Sequence, residues 1–121
     1  MRFHDQVDLA LDAIGSHAGV TTTCDLLWMG VPVVSLKGSV MAQRQGASIL
    51  SAIGCADWVA ETPHEYVATA LRMAQQHLHH NAARADFRAR LAGAAPFRPD
   101  ALARELEAAY RSMLAERIGR P

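Results

Sequence analysis

Residues 7–35 read V-D-L-A-L-D-A-I-G-S-H-A-G-V-T-T-T-C-D-L-L-W-M-G-V-P-V-V-S. Val7–Asp12 is an apolar run between acids and predicts a short strand. Ala13–Val20 carries Gly15 and Gly19 with no helical period and predicts a loop. Thr22 or Thr23 suits the N-cap of a compact helix over Cys24–Met29, which Gly30 ends. Pro32-Val33-Val34-Ser35-Leu36 is β-branched and apolar on both faces, as in a strand covered by helices on either side. The stretch is therefore strand, loop, helix, strand. It aims a hydroxyl-rich helix N-terminus at the end of a parallel sheet.

The rest of the chain extends the alternation. Gly38 and Ser39 break the second strand, and Met41–Ile53 predicts a helix with Ala42, Ala47, Ile49, Leu50 and Ile53 inward and Gly54 as its stop. Ala56–Ala60 predicts a third strand. Thr62-Pro63-His64-Glu65 has the form of a capping box, with proline at the first helical position. The helix it opens turns Tyr66, Ala70, Met73 and Ala74 inward and runs to about His77. Asn81–Ala92 predicts a polar, Arg-rich helix. Ala95–Pro99 is a break, and Leu102, Leu106, Ala109, Tyr110, Met113 and Leu114 mark an amphipathic last helix at 3.6 spacing. Alternation of this kind argues an α/β fold: a small, Rossmann-like, three-layer parallel sheet with right-handed crossovers, flanking helices and a C-terminal helix. Three strands make half of a doubly wound domain.

The 121 residues suffice for one core, and half of them are hydrophobic. With 12 basic and 12 acidic side chains the formal charge is zero, which gives no bulk attraction to nucleic acid or to an anionic membrane. No apolar run approaches the roughly 18–20 residues of a bilayer span, and the N-terminus has no signal-peptide pattern. Cys24 and Cys55 lie in different apolar settings, so a reduced, cytoplasmic compartment is expected.

In open α/β sheets ligands bind beyond the carboxyl ends of the strands. There the first helical amides lack internal partners and carry partial positive charge. Thr21, Thr22 and Thr23 add hydroxyl donors and Gly19 lets the backbone come close, so a diphosphate finds several hydrogen bonds without a lysine. Asp25, read in the first turn, suits ribose hydroxyls. The plainer alternative is that threonine simply caps and that Asp25 favours the dipole. His17 suits a base or phosphate contact, or is an exposed loop histidine. His64, His77, His79 and His80 have few acidic neighbours and read as a solvated helix end rather than a metal site. Ser16, His17 and Asp25 lack a nucleophile elbow. Arg84, Arg88 and Arg90 read as a solvated face, Arg44 as a surface ion-pair partner, and Trp28 and Trp58 as core.

The run G-V-T-T-T-C-D-L-L-W-M-G-V-P-V-V-S-L-K-G, followed by R-Q-G-A-S-I-L-S-A-I-G, resembles the C-terminal lobe of protein O-linked N-acetylglucosamine transferases, above all bacterial members with tetratricopeptide repeats. V-D-L-A-L-D before it and A-P-F-R-P-D…L-E-A-A-Y-R-S-M after it fit as well, so the likeness covers essentially the whole chain. The resemblance implies part of a GT-B glycosyltransferase. Its donor is UDP-N-acetylglucosamine, bound between two Rossmann-like lobes with no metal or other cofactor. Its acceptor is a protein Ser or Thr hydroxyl, and the reaction inverts at the sugar C1. The family's threonine pair on the UDP diphosphate maps onto Thr21 and Thr22, and its ribose aspartate onto Asp25. The loop departs from the family's Y-N-G-G or N-G-H: it reads S-H-A-G-V, with one extra residue and Val20 in place of a Gly or His. The family's catalytic lysine and uracil-side histidine, its N-terminal lobe and its repeats lie upstream of Met1. No catalytic residue is assigned within this chain. The sequence thus looks like the last part of a longer transferase, and for these residues alone no turnover and at most weak UDP binding are expected.

Two other readings remain. One is a GT-B transferase with another sugar or acceptor, such as an asparagine-directed glucosyltransferase. The other is a non-catalytic interaction module that keeps the fold, which the altered loop favours. In either case the first strand leaves an unpaired edge, predicting self-association or a partner that covers it.

Overall fold

Three short strands, β1 (Ala10–Leu11), β2 (Val33–Leu36) and β3 (Val59–Ala60), form a parallel sheet in the order β1–β2–β3. The computed structural model describes residues 6–15, 19–77 and 81–119. Ala10 pairs with Val33 and Leu11 with Val34, while Ser35 pairs with Val59 and Leu36 with Ala60. The Ala10 amide donates to the Pro32 carbonyl at 2.9 Å and the Asp12 amide to that of Val34 at 2.8 Å.

Two helices make the crossovers. α1 (Val20–Trp28) joins β1 to β2, and α2 (Gln45–Ala52) joins β2 to β3. Both crossovers step the same way across the sheet, so right-handedness puts both helices on one face, where they pack on each other. α3 (Pro63–His77) lies against β2 and β3. Val33 and Val34 point to opposite sides of β2, yet both are fully buried, so the central strand is covered on both faces. Leu27, Leu50, Trp58, Tyr66, Met73 and Leu91 complete the core. α4 (Asn81–Ala92) packs on α1 and contributes Leu91, and α5 (Pro99–Ile118) is the last element.

The fold class is the one the sequence predicts, but several boundaries move. β1 keeps two residues of the six expected, because only Ala10 and Leu11 face β2. α1 starts earlier than expected. Its N-cap is Gly19, not Thr22 or Thr23, since the Thr23 amide already donates to the Gly19 carbonyl at 3.0 Å. Asp25 therefore falls in the second turn rather than the first. The predicted helix from Met41 opens with a 3-10 turn over Met41–Gln43 and becomes α-helical at Gln45, leaving Ala42 exposed. The predicted strand at Ala56 is a 3-10 turn over Ala56–Trp58 that leads into β3. Gly30 does end α1, at φ +77°, where a Cβ would lie 2.8 Å from that of Arg84.

Arg88 and Arg90 are exposed, as on a solvated face, but Arg84, Arg44 and one tryptophan depart from expectation. Arg84 is no solvated residue: its guanidinium donates to the Val7 carbonyl and lies 3.6 Å from Asp8. Arg88 donates to the Trp28 carbonyl at 2.9 Å. Among the described residues Arg44 forms no ion pair with an acid, and it donates to the Gly38 carbonyl at 2.9 Å. Trp28 is 43% exposed rather than core, its ring stacked on Phe97 at 5.8 Å. Trp58 is buried as expected, against Phe87 at 5.4 Å.

Candidate functional site

Each strand ends at the same edge of the sheet, and each is followed there by the start of a helix. The N-terminus of α1 is the best-furnished of these starts. Gly19 holds an extended conformation at φ −78° and ψ 98° and, as the N-cap, offers no side chain to cap the helix. The amides of Val20, Thr21 and Thr22 fall where a helix supplies no acceptor. Thr21 and Thr22 are exposed, and so is Asp25, which lies one turn further along at i+4 and i+3 from them. The three side chains thus share one solvent-facing side of the helix start. A Cβ at position 19 would meet Thr22 at 3.4 Å, so the glycine leaves that approach open. Thr23 differs: it is 2% exposed and faces the interior. His17 lies outside the described residues.

Beneath this edge is a buried polar cluster that the sequence reading missed. Asp12 follows β1 and is 8% exposed. One carboxylate oxygen accepts the Ser35 hydroxyl at 2.8 Å, and the other accepts the Ala13 amide at 3.0 Å. The Tyr66 hydroxyl, from the first turn of α3, donates to the Asp12 carbonyl at 2.7 Å. Burial, and then the Asp12 charge, push the Tyr66 phenol above its ordinary value. Gly46, second residue of α2, sits against the carboxylate: a Cβ there would lie 2.1 Å from an Asp12 oxygen and 2.6 Å from Ser35 Oγ. Such a close approach admits only glycine. One sequence signal was available, an acid ending an apolar strand at the ligand edge. The partners came from segments 23, 34 and 54 residues away.

Two hollows lie elsewhere among the described residues. One of about 540 Å³ lies at the amino edge of the sheet, among Asp8, Gly30, Cys55, Trp58, Arg84 and Arg90. The second, about 400 Å³, lies along α2 and β3 between Arg44, Ser48 and the Lys37–Glu61 ion pair, which closes at 2.7 Å. Neither includes Thr21, Thr22 or Asp25. Burial pushes both thiols up, Cys24 aided by the Asp25 charge and Cys55 opposed by Arg90. Among the described residues no three His, Cys, Asp or Glu side chains come together as metal ligands, and no helix is long and apolar enough to cross a membrane.

Comparison with known proteins finds likeness over most of the chain. The model of glycosyl transferase family 41 matches residues 2–104. A barley protein described as a probable UDP-N-acetylglucosamine–peptide N-acetylglucosaminyltransferase SPINDLY is 38% identical over 113 residues, 93% of this chain and 12% of its own length. The Arabidopsis thaliana protein of the same description is 36% identical over the same shares. In the solved structures, a mutant O-GlcNAc transferase from Thermobaculum terrenum superposes with a TM-score of 0.71 at 34% identity, covering 91% of this chain and 21% of that one. The chain thus spans a small part of the length of the relatives it matches.

Proposed function

The chain belongs to glycosyl transferase family 41, and from that premise we propose that it forms the UDP-binding part of a protein O-linked N-acetylglucosamine transferase. The observation that carries this reading is the start of α1. In a chain of this family, two exposed threonines and three amides with no acceptor within the helix stand together at the carboxyl edge of a parallel sheet. The names of the barley, Arabidopsis and Thermobaculum relatives support the same donor and a peptide or protein acceptor.

In this reading the donor diphosphate lies against Gly19, Thr21 and Thr22, and the ribose hydroxyls reach Asp25. Thr23 backs the site from the core side. An acceptor hydroxyl forms its bond to the sugar C1 as the bond from C1 to the phosphate oxygen breaks, with inversion and loss of the hydroxyl proton. Negative charge grows on departing UDP. Amides and hydroxyls already aimed at it stabilise that charge, and the helix terminus adds about 0.3–1 kcal/mol. The diphosphate is held without a metal, and no residue of this chain is assigned the proton transfer. The sequence belongs in this account to the C-terminal lobe of a longer transferase acting in the cytoplasm, where the free thiols Cys24 and Cys55 stay reduced.

Calorimetry on the 121-residue chain with UDP, UMP and uridine tests the reading. UDP is expected to bind at least tenfold more tightly than uridine, with chelator making no difference. Thr21→Val with Thr22→Val should abolish the preference. Equal affinity for UDP and uridine contradicts diphosphate recognition here.

A further inference from the structure

The buried cluster under the ligand edge has a shape that the core alone does not require. A carboxylate out of water is costly unless it is hydrogen-bonded, and an apolar side chain would fill the same space more cheaply. Asp12 is nevertheless the only buried carboxylate among the described residues. Its contacts reach β2, α2 and α3, each of which ends or begins at this edge. The side chain takes the Ser35 hydroxyl from β2, its carbonyl takes the Tyr66 hydroxyl from α3, and Gly46 of α2 is cut back to glycine to admit it. α2 in turn packs on α1. Both the chain leaving β1 and the helix beside α1 are therefore registered on one carboxylate. Hydrogen bonds fix register in a way that apolar contact, which is non-directional, does not.

We propose that Asp12 is the positioning residue of the donor site: clasped by Ser35 and seated against Gly46, it sets where the start of α1 presents Gly19, Thr21 and Thr22. The assignment of a diphosphate to those residues rests on the function proposed above. Positioning itself is a property of the free chain. Asp12 touches no ligand, and its effect is exerted through β1, α2 and the start of α1.

The test compares Asp12→Ala, Asp12→Asn and the milder Ser35→Ala with Met73→Ala, a fully buried α3 residue outside the cluster that serves as a stability control. Asparagine keeps an acceptor for the Ala13 amide, and its NH₂ group can donate to Ser35 Oγ. Amide shifts of Gly19, Thr21 and Thr22 are read in the free protein, and UDP affinity by calorimetry. Asp12→Ala and Ser35→Ala are expected to move those amides and to weaken UDP at least fivefold. Asp12→Asn should restore affinity to within twofold, and Met73→Ala should lower the melting temperature with the three amides unmoved. If Ser35→Ala, and Asp12→Ala where it folds, leave the amides in place, the positioning role is overturned, whatever UDP does. Moved amides in a chain whose wild type ignores UDP uphold positioning and overturn the donor reading alone.

Discussion

The tightest constraint at the residue scale is the absence of a side chain at Gly46. A methyl group there would lie 2.1 Å from an Asp12 oxygen and 2.6 Å from Ser35 Oγ. Either the clasp opens or α2 moves away from β1. Gly46→Ala should therefore destabilise by about 1–3 kcal/mol despite the gain in helix propensity; denaturant unfolding checks this, and a gain in stability contradicts the geometry. Tyr66 adds a dependence on pH. Its phenol ionises above the ordinary value of 10.0, chiefly because it is buried and then because of the Asp12 charge. The folded state thus holds the proton more tightly than the unfolded chain. The stability this contributes is full below the ordinary value and is lost as pH rises from there through the raised one. Tyr66→Phe should flatten that alkaline decline, which melting curves between neutral and strongly alkaline pH would show. A slope unchanged in Tyr66→Phe would assign the decline to other groups.

Among the elements, α3 was the most legible, because its start is written in local chemistry. The Thr62 hydroxyl accepts the Glu65 amide at 3.2 Å, and the Glu65 carboxylate accepts the Glu61 amide at 2.9 Å, one residue further out than in the usual box. Thr62→Ala should lower stability by about 0.5–2 kcal/mol in thermal unfolding; no loss would show the cap to be idle. α1 was less legible. Threonine is a good cap, so Thr22 or Thr23 was the natural local choice, whereas the fold starts the helix at Gly19 and buries Thr23 against the core. Tertiary packing decided which of three equivalent side chains turned inward. The parallel sheet was readable from the apolar runs and their spacing. The short β1, the 3-10 turns and the partial burial of Arg84 were not, because each depends on partners distant in sequence. For the site, Thr21, Thr22 and Asp25 were readable as a group, and the structure places all three on one exposed side. Asp12 was visible only as a strand-end acid, since Ser35, Gly46 and Tyr66 acquire meaning from contact with it.

For the molecule as a whole, the notable feature is what its surface leaves open. α5 has no buried residue, and Leu102, Leu106, Tyr110, Met113, Leu114 and Ile118 lie exposed along it. Leu11 and Ile14, at the sheet edge formed by β1, are exposed as well. Apolar surface of this extent on an isolated chain favours association. Sedimentation should show mass rising with concentration, and Leu106→Glu with Met113→Glu should reduce it; a wild type of monomer mass at every concentration contradicts this. The central claim concerns the opposite kind of surface, the polar start of α1. It is tested most directly by mapping amide shifts over the whole chain during a UDP titration. The account predicts saturable shifts centred on Gly19, Thr21, Thr22 and Asp25 that vanish in Thr21→Val with Thr22→Val. Silence at those four residues, or shifts centred instead on the hollow between Cys55, Arg84 and Arg90, would contradict it.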